Sequence, residues 1–345
     1  MMLGVEASRP HGWILVVLAV MAAGCGGSGS GPGTAPRAAA TSRPAASAAT
    51  ATPAPRPATN GRVAVTALGR LPAPVQLPAV APRQHGVLVI GGLDAADASV
   101  ADIVRVSGGR GAVVGRLPAA LHDAAAATVG GTTYFFGGGN LGAGVADVVR
   151  VGPGGATTPA GRLPAGASDV EAATVGDTAY VVGGYTGSAP LRSIVAYTPG
   201  RSPRVVAELP RPLRYAAVAA VGGRVLIAGG TSGTAARREI LRFDPRTGAV
   251  ARIGRLRSPL THAAGGSLGG RFYVLGGRGD DLSSQRAAIL AVDPVSGRVR
   301  RAGRLPRALS DVGAASLPGR VVLVGGRDAA GRVWDEIWAV RARGG

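Results

Sequence analysis

Residues 215–230 read YAAVAAVGGRVLIAGG: a run of small residues, a Gly-Gly turn, an apolar run and a second Gly-Gly pair. The closing pair recurs through the chain, and its six copies begin 46, 46, 46, 47 and 49 residues apart. The copies are Gly91-Gly92, Gly137-Gly138, Gly183-Gly184, Gly229-Gly230, Gly276-Gly277 and Gly325-Gly326. A period of this length predicts an array of similar supersecondary units.

A leucine marks each unit 20 residues before its glycine pair. The leucines are Leu71, Leu117, Leu163, Leu209, Leu256 and Leu305. Proline follows five of them, and Arg257 follows Leu256. Two markers that keep one offset through six units indicate a true repeat, and they give corresponding positions in every unit.

The unit between Leu209 and Leu256 predicts four short strands. We expect them at Tyr215–Val221, Arg224–Ala228, Glu239–Phe243 and Ala249–Gly254. Gly222-Gly223 and the Asp-Pro-Arg-Thr-Gly sequence at 244–248 supply turns between them. Six such units predict an all-β fold, a six-bladed β-propeller of four-stranded antiparallel blades. The Ala-rich first strand of each unit suits the crowded propeller axis.

The last unit supplies only three strands before the chain ends: Asp311–Leu317, Val321–Val324 and Asp335–Arg341. The segment Val63–Leu68 precedes the first unit and has the pattern of a fourth strand. We expect this segment to pair with the C-terminal blade, which closes the propeller and removes its exposed edges.

The units resemble kelch repeats over about residues 62–343. The likeness rests on the apolar strand before Gly-Gly and on the Asp-Pro-x-Thr/Ser-Gly turns at 244–248 and 293–297. A small or acidic residue before the third strand also fits, at Asp102, Asp147, Ser193, Glu239 and Glu336. The fourth strands depart from the pattern because they lack tryptophan. The resemblance implies a binding scaffold in most cases and an enzyme in a few.

The N-terminus predicts export and a lipid anchor. Trp13–Ala23 is an apolar run of 11 residues, and Cys25, the single cysteine, follows two positions after it. The run is too short to span a bilayer, which takes ~20 residues, but it suits a signal peptide. Ala22-Ala23-Gly24-Cys25 resembles the bacterial lipobox; an ordinary signal with a chance cysteine is the alternative. We therefore expect a signal peptide at 1–24, a lipidated Cys25 with a Gly/Ser/Ala/Pro tether at 25–60, and the propeller at 61–345, outside the cytoplasm on a bacterial membrane.

The formal charge is +19, and all 38 basic residues are arginine. This charge favours anionic partners, such as a wall polymer or an acidic glycan. A general preference for arginine over lysine in the source genome is the alternative explanation. We expect no nucleic-acid partner, because the chain has an export signal and no nucleic-acid-binding motif.

The residue six positions after each repeat leucine should lie at the mouth of the axial channel. These residues are Leu77, Asp123, Asp169, Tyr215, His262 and Asp311. The five polar residues among them, with two of their predecessors, give a candidate ligand-binding set: His122, Asp123, Asp169, Arg214, Tyr215, His262 and Asp311. The alternative is that these polar groups only satisfy local backbone at the start of each inner strand.

Two catalytic interpretations follow from the kelch resemblance. Copper radical oxidases of this type need a cysteine crosslinked to tyrosine, but Cys25 lies outside the propeller. Sialic-acid mutarotases use acid–base residues and arginine, for which Asp169, Glu171, Arg214 and His262 are the candidates. The histidines show no metal-ligand spacing, so we expect no metal and no cofactor.

Five arginines directly precede the repeat leucine: Arg70, Arg116, Arg162, Arg255 and Arg304. Either their guanidinium groups form a basic rim for an anionic polymer, or the aliphatic parts of their side chains cover the outer strands.

Our leading hypothesis is a monomeric binding or scaffold module for an envelope protein or an anionic wall glycan. The alternative is a carbohydrate-active epimerase with its site at the channel mouth.

Overall fold

The computed structural model describes residues 61–140, 143–233 and 235–343. The predicted signal peptide, Cys25 and the tether lie outside these residues. The described residues form β-strands and no helix. The strands are β1 (Val63–Arg70), β2 (Ala79–Arg83), β3 (Gly86–Ile90), β4 (Asp102–Ser107), β5 (Arg110–Arg116), β6 (Ala125–Val129), β7 (Thr132–Phe136), β8 (Gly139–Asn140), β9 (Ala143–Gly144), β10 (Asp147–Val151), β11 (Thr157–Arg162), β12 (Glu171–Val175), β13 (Thr178–Val182), β14 (Ser193–Tyr197), β15 (Arg204–Glu208), β16 (Ala217–Val221), β17 (Arg224–Ala228), β18 (Arg237–Asp244), β19 (Ala249–Leu260), β20 (Ala264–Leu268), β21 (Arg271–Leu275), β22 (Ala288–Val292), β23 (Val299–Arg304), β24 (Gly313–Leu317), β25 (Arg320–Val324) and β26 (Glu336–Ala342).

Apart from β8 and β9, which pair only with each other, the strands form four-stranded antiparallel arrays, which we number as blades in chain order. Four arrays are separate sheets: β6-β7-β10-β11, β12–β15, β16–β19 and β20–β23, or blades 2 to 5. The remaining eight-stranded sheet contains β2–β5 (blade 1) and β24-β25-β26-β1 (blade 6). These two arrays meet at a single parallel pairing, Arg70 with Arg110. The predicted all-β propeller is confirmed, with one four-stranded array for each repeat.

Strand β1 completes the last blade. It pairs antiparallel with β26, from Val63 opposite Ala342 to Arg70 opposite Glu336. The amide of Leu71 then donates a 2.7 Å hydrogen bond to the carbonyl of Asp335 in the same blade. The predicted partner of the C-terminal blade is therefore observed, and it extends two residues beyond the predicted Leu68.

The hydrophobic core lies in the seams between neighbouring blades. One cluster joins Leu226 of blade 4 to Phe272 of blade 5, both fully buried. Another joins Val324 of blade 6 to Val87 of blade 1 across the point of closure. Four further clusters fill the other seams. Burial of apolar surface thus continues around the whole circle of blades.

The glycine pairs connect each blade to the next one. The amide of Gly92 donates a 2.9 Å hydrogen bond to the carbonyl of Leu121 in blade 2. A Cβ atom on Gly91 would overlap that same carbonyl oxygen, and Gly91 has φ +62°. Both facts require glycine at this position. The same arrangement recurs at Gly138 with Ala167, Gly184 with Leu213, Gly230 with Leu260, Gly277 with Leu309 and Gly326 with Val75.

Some predicted strand limits need correction. The inner strand of blade 4 begins at Ala217 instead of Tyr215, because Tyr215 has φ +54° and cannot belong to an extended strand. Strand β19 runs to Leu260 instead of ending at Gly254. It passes through Arg257, which keeps the backbone N–H that proline lacks in the other units.

Candidate functional site at the channel mouth

The six residues predicted for the channel mouth line one cavity at the axis. We call them the axial ring: Leu77, Asp123, Asp169, Tyr215, His262 and Asp311. Each has a left-handed backbone, with φ between 53° and 62°. Positive φ is uncommon for residues other than glycine and costs of order 1–3 kcal/mol. Its recurrence at one repeat position shows that the propeller imposes this conformation.

Backbone hydrogen bonds connect the axial ring around the axis. In five of the six steps a ring amide donates to the ring carbonyl of the preceding blade. These bonds are Leu77 to Asp311 (2.8 Å), Asp123 to Leu77 (3.3 Å), Tyr215 to Asp169 (3.2 Å), His262 to Tyr215 (3.1 Å) and Asp311 to His262 (3.1 Å). In the sixth step Val170, next to Asp169, donates to Asp123 over 3.4 Å. These six hydrogen bonds, which we call the belt, offset part of the conformational strain of the left-handed residues.

The residue before each ring residue is held in place by its own blade. The residue before each ring residue forms a β-bridge with the residue after the glycine pair of its own blade. The pairs are Gln76 with Leu93, His122 with Gly139, Ser168 with Tyr185, Arg214 with Thr231, Thr261 with Arg278 and Ser310 with Arg327. At the mouth, backbone hydrogen bonds therefore fix both the ring residue and the residue before it in each unit.

One side of the mouth is a chain of charged and polar groups from blades 2, 3 and 4. Arg214 Nε lies 2.5 Å from Asp169 Oδ2, in an ion pair whose N–H does not point at the oxygen. Arg214 also donates to the hydroxyl of Tyr215 (3.2 Å), and this hydroxyl donates to Asp123 Oδ2 (3.2 Å). The guanidinium of Arg214 lies over the ring of Tyr185, 4.2 Å from its centroid. The polar side chains on this side of the mouth thus bind one another and fix one another's positions.

The other side of the mouth is built around His262. Its imidazole stacks on Tyr215, with ring centroids 3.8 Å apart. Its Nε2 lies 3.3 Å from Arg278 and 3.9 Å from Asp311 Oδ1, and its Nδ1 lies 3.1 Å from the hydroxyl of Thr261. These contacts join the two halves of the mouth through the Tyr215–His262 stack.

His122 and Ser310 contact residues of the axial ring without being members of it. His122 Nδ1 lies 2.8 Å from the hydroxyl of Ser99, and its Nε2 lies 3.8 Å from Asp123. Ser310 donates a 2.5 Å hydrogen bond to Asp311 Oδ2. Ser99 was not among the predicted site residues, because its loop position carries no signal in the repeat.

The side chains of the axial ring nearly close the channel. The cavity between them has a volume of about 40 Å³. Below it, the channel continues as a cavity of about 240 Å³, lined by small residues of the inner strands such as Ala126, Ala172 and Gly265. Drug-sized ligands occupy pockets of ≈ 300–1,000 Å³, and a single water needs about 10–15 Å³. The mouth therefore has room for water but not for a sugar.

The carboxyl groups of the mouth bind protons more tightly than usual. Burial, together with the negative charges of Asp169 and Asp311, raises the pKa of Asp123 well above its ordinary value. Burial also raises the pKa of Asp169, against the opposing effects of Arg214 and of hydrogen bonds from neighbours that include Asp123. We assign a proton to Asp123 and the charge to Asp169. Burial raises the pKa of Asp311 to about 6.

Glu171 is the one acid at its repeat position. The other five units have Ala79, Ala125, Ala217, Ala264 and Gly313 there. The Glu171 side chain lines the mouth cavity, and burial raises its pKa to about 8. Within the described residues it has no ion-pair partner. It is therefore a protonated acid near neutral pH, of the kind that general acid catalysis uses.

His122, His262 and Tyr215 stay neutral. Burial, with the nearby charges of Arg278 and Arg214, lowers the pKa of His262 well below its ordinary value. Burial lowers the pKa of His122. Burial and the charges of Asp123 and Asp169 raise the pKa of Tyr215. The mouth thus combines neutral donors with the half-buried Arg214–Asp169 ion pair and with the carboxylate of Asp311.

The structure brings together all the predicted mouth residues and all four catalytic candidates. Among the described residues, no group of three or more His, Cys, Asp or Glu could hold a metal ion. The described chain also has no helix with the length and apolarity required to cross a membrane.

Four of the arginines that precede the repeat leucines form ion pairs at the start of the third strand. The pairs are Arg70–Asp335, Arg116–Asp102, Arg162–Asp147 and Arg255–Glu239, at 2.7, 3.0, 2.6 and 3.8 Å. Their guanidinium groups are exposed, so each pair contributes at most about 1 kcal/mol. The fifth, Arg304, lies opposite Ala288. These pairs explain why an acid recurs at this point of the unit.

Comparison with known proteins agrees with this architecture. The Kelch motif family matches residues 212–254. A solved structure titled "Structure of YjhT" superposes with a TM-score of 0.69 and 16% sequence identity, over 79% of this chain and 96% of that one. No curated protein matches the sequence. The chain thus has a kelch motif within a propeller fold.

Proposed function

We propose that this protein is a non-catalytic binding module that recognises an envelope protein or an anionic wall glycan through its connector face. The connector face is the end of the propeller that carries the segments between blades and the loops after the glycine pairs. A kelch motif and a propeller fold support a binding scaffold. The proposed tether is a lipid on Cys25, which would hold the propeller outside a bacterial membrane.

The closed channel mouth is the observation that carries this proposal. The cavity inside the axial ring measures about 40 Å³, and its side chains are engaged with one another. A substrate that needs Glu171 would have to displace the Tyr215–His262 stack and the Arg214–Asp169 pair. An exposed face can bind a partner without such a rearrangement.

The second candidate is a carbohydrate-active epimerase. Its support is the meeting of a protonated acid, Glu171, with a neutral imidazole, His262, at one cavity. Groups with such shifted pKa values are frequent in catalytic sites, although they also occur in structural networks. The small cavity counts against this candidate, because epimerisation requires a sugar beside both groups.

A paired assay separates the two functions. Full-length protein is tested for binding to a glycan array and to isolated sacculi, and for anomeric exchange of N-acetylneuraminate by NMR. We expect binding without acceleration of the exchange. Acceleration that disappears in His262→Asn or Asp169→Asn would contradict the proposal and favour the epimerase.

A further inference from the structure

A groove beside the connector from blade 4 to blade 5 is lined by arginine and by no acid. Its volume is about 270 Å³. The lining residues include Arg257, Arg286, Arg300 and Arg301, together with Leu256, Leu260, Leu290 and Val299. Arg300 also borders the neighbouring cavity that contains Asp293, so the argument rests on the other three arginines.

These three arginines have no carboxylate partner within the described residues. Arg257 and Arg301 are exposed, and Arg286 is half-buried. The nearby Arg255, in contrast, lies 3.8 Å from Glu239. Three arginines that line one groove, without an acid among the lining residues, produce a local positive potential that attracts anions.

The groove is also where the repeat departs from its own pattern. Arg257 stands in the place of the proline that follows the other five repeat leucines. Ala288 stands where four other blades have an acid opposite the arginine, so Arg304 lacks the carboxylate that its counterparts have. Arg286, two residues before its third strand, corresponds to Val100, Val145 and Leu191 in blades 1 to 3, and blade 4 also has an arginine there, Arg237. Each change adds a positive charge or removes a negative one at the same place.

We propose that this groove binds the phosphate groups of an anionic wall polymer. Guanidinium groups donate paired hydrogen bonds that match the several oxygens of a phosphate. The leucine wall provides an apolar surface for the carbon backbone next to the phosphate. The inference deepens the proposed function, because the groove adjoins the connector face, and it rests on that function for the source of the polymer.

The test is a calorimetric titration of the full-length protein with a glycerol phosphate decamer. The variant R257Q/R301Q removes two charges from the groove, and R105Q/R150Q removes two exposed charges from β4 and β10. We expect the groove variant to weaken the affinity at least about tenfold and the control to change it less than about twofold. We expect Ala288→Asp, which restores the acid of the other blades, to weaken binding as well.

An equal loss of affinity in both double variants would show an effect of net charge alone and would overturn the groove as the phosphate-binding site. Binding of similar strength to phosphatidylglycerol vesicles, lost in R257Q/R301Q, would overturn the polymer as the source. The titration uses a defined oligomer, so it can succeed even if the protein fails to bind sacculi. Binding of the oligomer without binding of sacculi would reject the proposed function and support the groove as a phosphate-binding site.

Discussion

The amide of Gly326 donates a 2.8 Å hydrogen bond to the carbonyl of Val75, which joins the last repeat to the first. Equivalent bonds join every other pair of neighbouring blades. The preceding glycine, Gly325, lies so close to the same carbonyl that it has no space for a side chain. The glycine pair therefore both ends a strand and connects two blades.

Gly325→Ala should destabilise the propeller strongly. The new Cβ would overlap the Val75 carbonyl, and the residue would be strained at φ +63°. We expect a loss of more than about 3 kcal/mol, measured by chemical denaturation, since the left-handed backbone alone costs ~1–3 kcal/mol. Gly319→Ala is the control: it has φ +74° in open space. Its expected cost is roughly 1–2 kcal/mol, that of the left-handed backbone alone, and equal losses in both variants would contradict the role of the close approach.

The repeat spacing was sufficient to predict the blades, the closing strand and the members of the axial ring. Corresponding positions occupy corresponding places in a repeat, so six residues after each leucine led to Asp123, Tyr215 and the others. The spacing did not predict the left-handed backbone of these residues. That conformation follows from the hydrogen-bonded belt between blades, which is a long-range feature.

Asp123→Asn and Asp169→Asn should differ in their cost. Asp123 carries a proton in the folded protein, so the neutral amide replaces a neutral acid, and we expect a change within about 1 kcal/mol. Asp169 balances the charge of Arg214, and its loss leaves that charge half-buried, at a cost of roughly 3 kcal/mol. Denaturation of both variants near pH 7 measures the difference. A larger cost for Asp123→Asn would mean that the proton is assigned to the wrong carboxyl.

Glu171 should make stability fall as the pH rises. Its pKa is about 8 in the folded protein and 4.5 as the ordinary value, so the unfolded chain loses the proton first. The free energy of unfolding then decreases between about pH 4.5 and pH 8 and is level above that range. In thermal scans, the melting temperature of Glu171→Gln should exceed that of the wild type by an amount that increases with pH through this interval. Each kcal/mol of difference corresponds to roughly 3 °C. Glu208→Gln, at an exposed carboxylate, is the control, and parallel curves for wild type and Glu171→Gln would contradict the assignment.

The contacts that close the channel mouth could not be predicted from the sequence. The stack of Tyr215 on His262 and the pair of Arg214 with Asp169 depend on the direction of each side chain across different blades. The arginine groove, in contrast, could be recognised by aligning the units. Arg257 and Ala288 both break the pattern, although the sequence alone does not show that they line one cavity.

Cys25→Ser should release the protein from membranes. The proposed anchor is a lipid on this cysteine, and serine lacks the thiol that would carry it. We expect the variant in the soluble extracytoplasmic fraction after cell fractionation, whereas the wild type requires detergent. Continued dependence on detergent in the variant would count against the lipid anchor.

The most direct test of a binding role for the connector face compares two substitutions, Leu282→Asp and Val295→Asp. Leu282 and Val295 are both 76% exposed. Leu282 lies in the loop before β22 on the connector face, and Val295 lies in the turn after β22 at the opposite end. Co-sedimentation of full-length protein with isolated sacculi should be reduced severalfold by Leu282→Asp and unchanged by Val295→Asp. Equal effects of the two substitutions, or no sedimentation of the wild type, would contradict the proposed binding face.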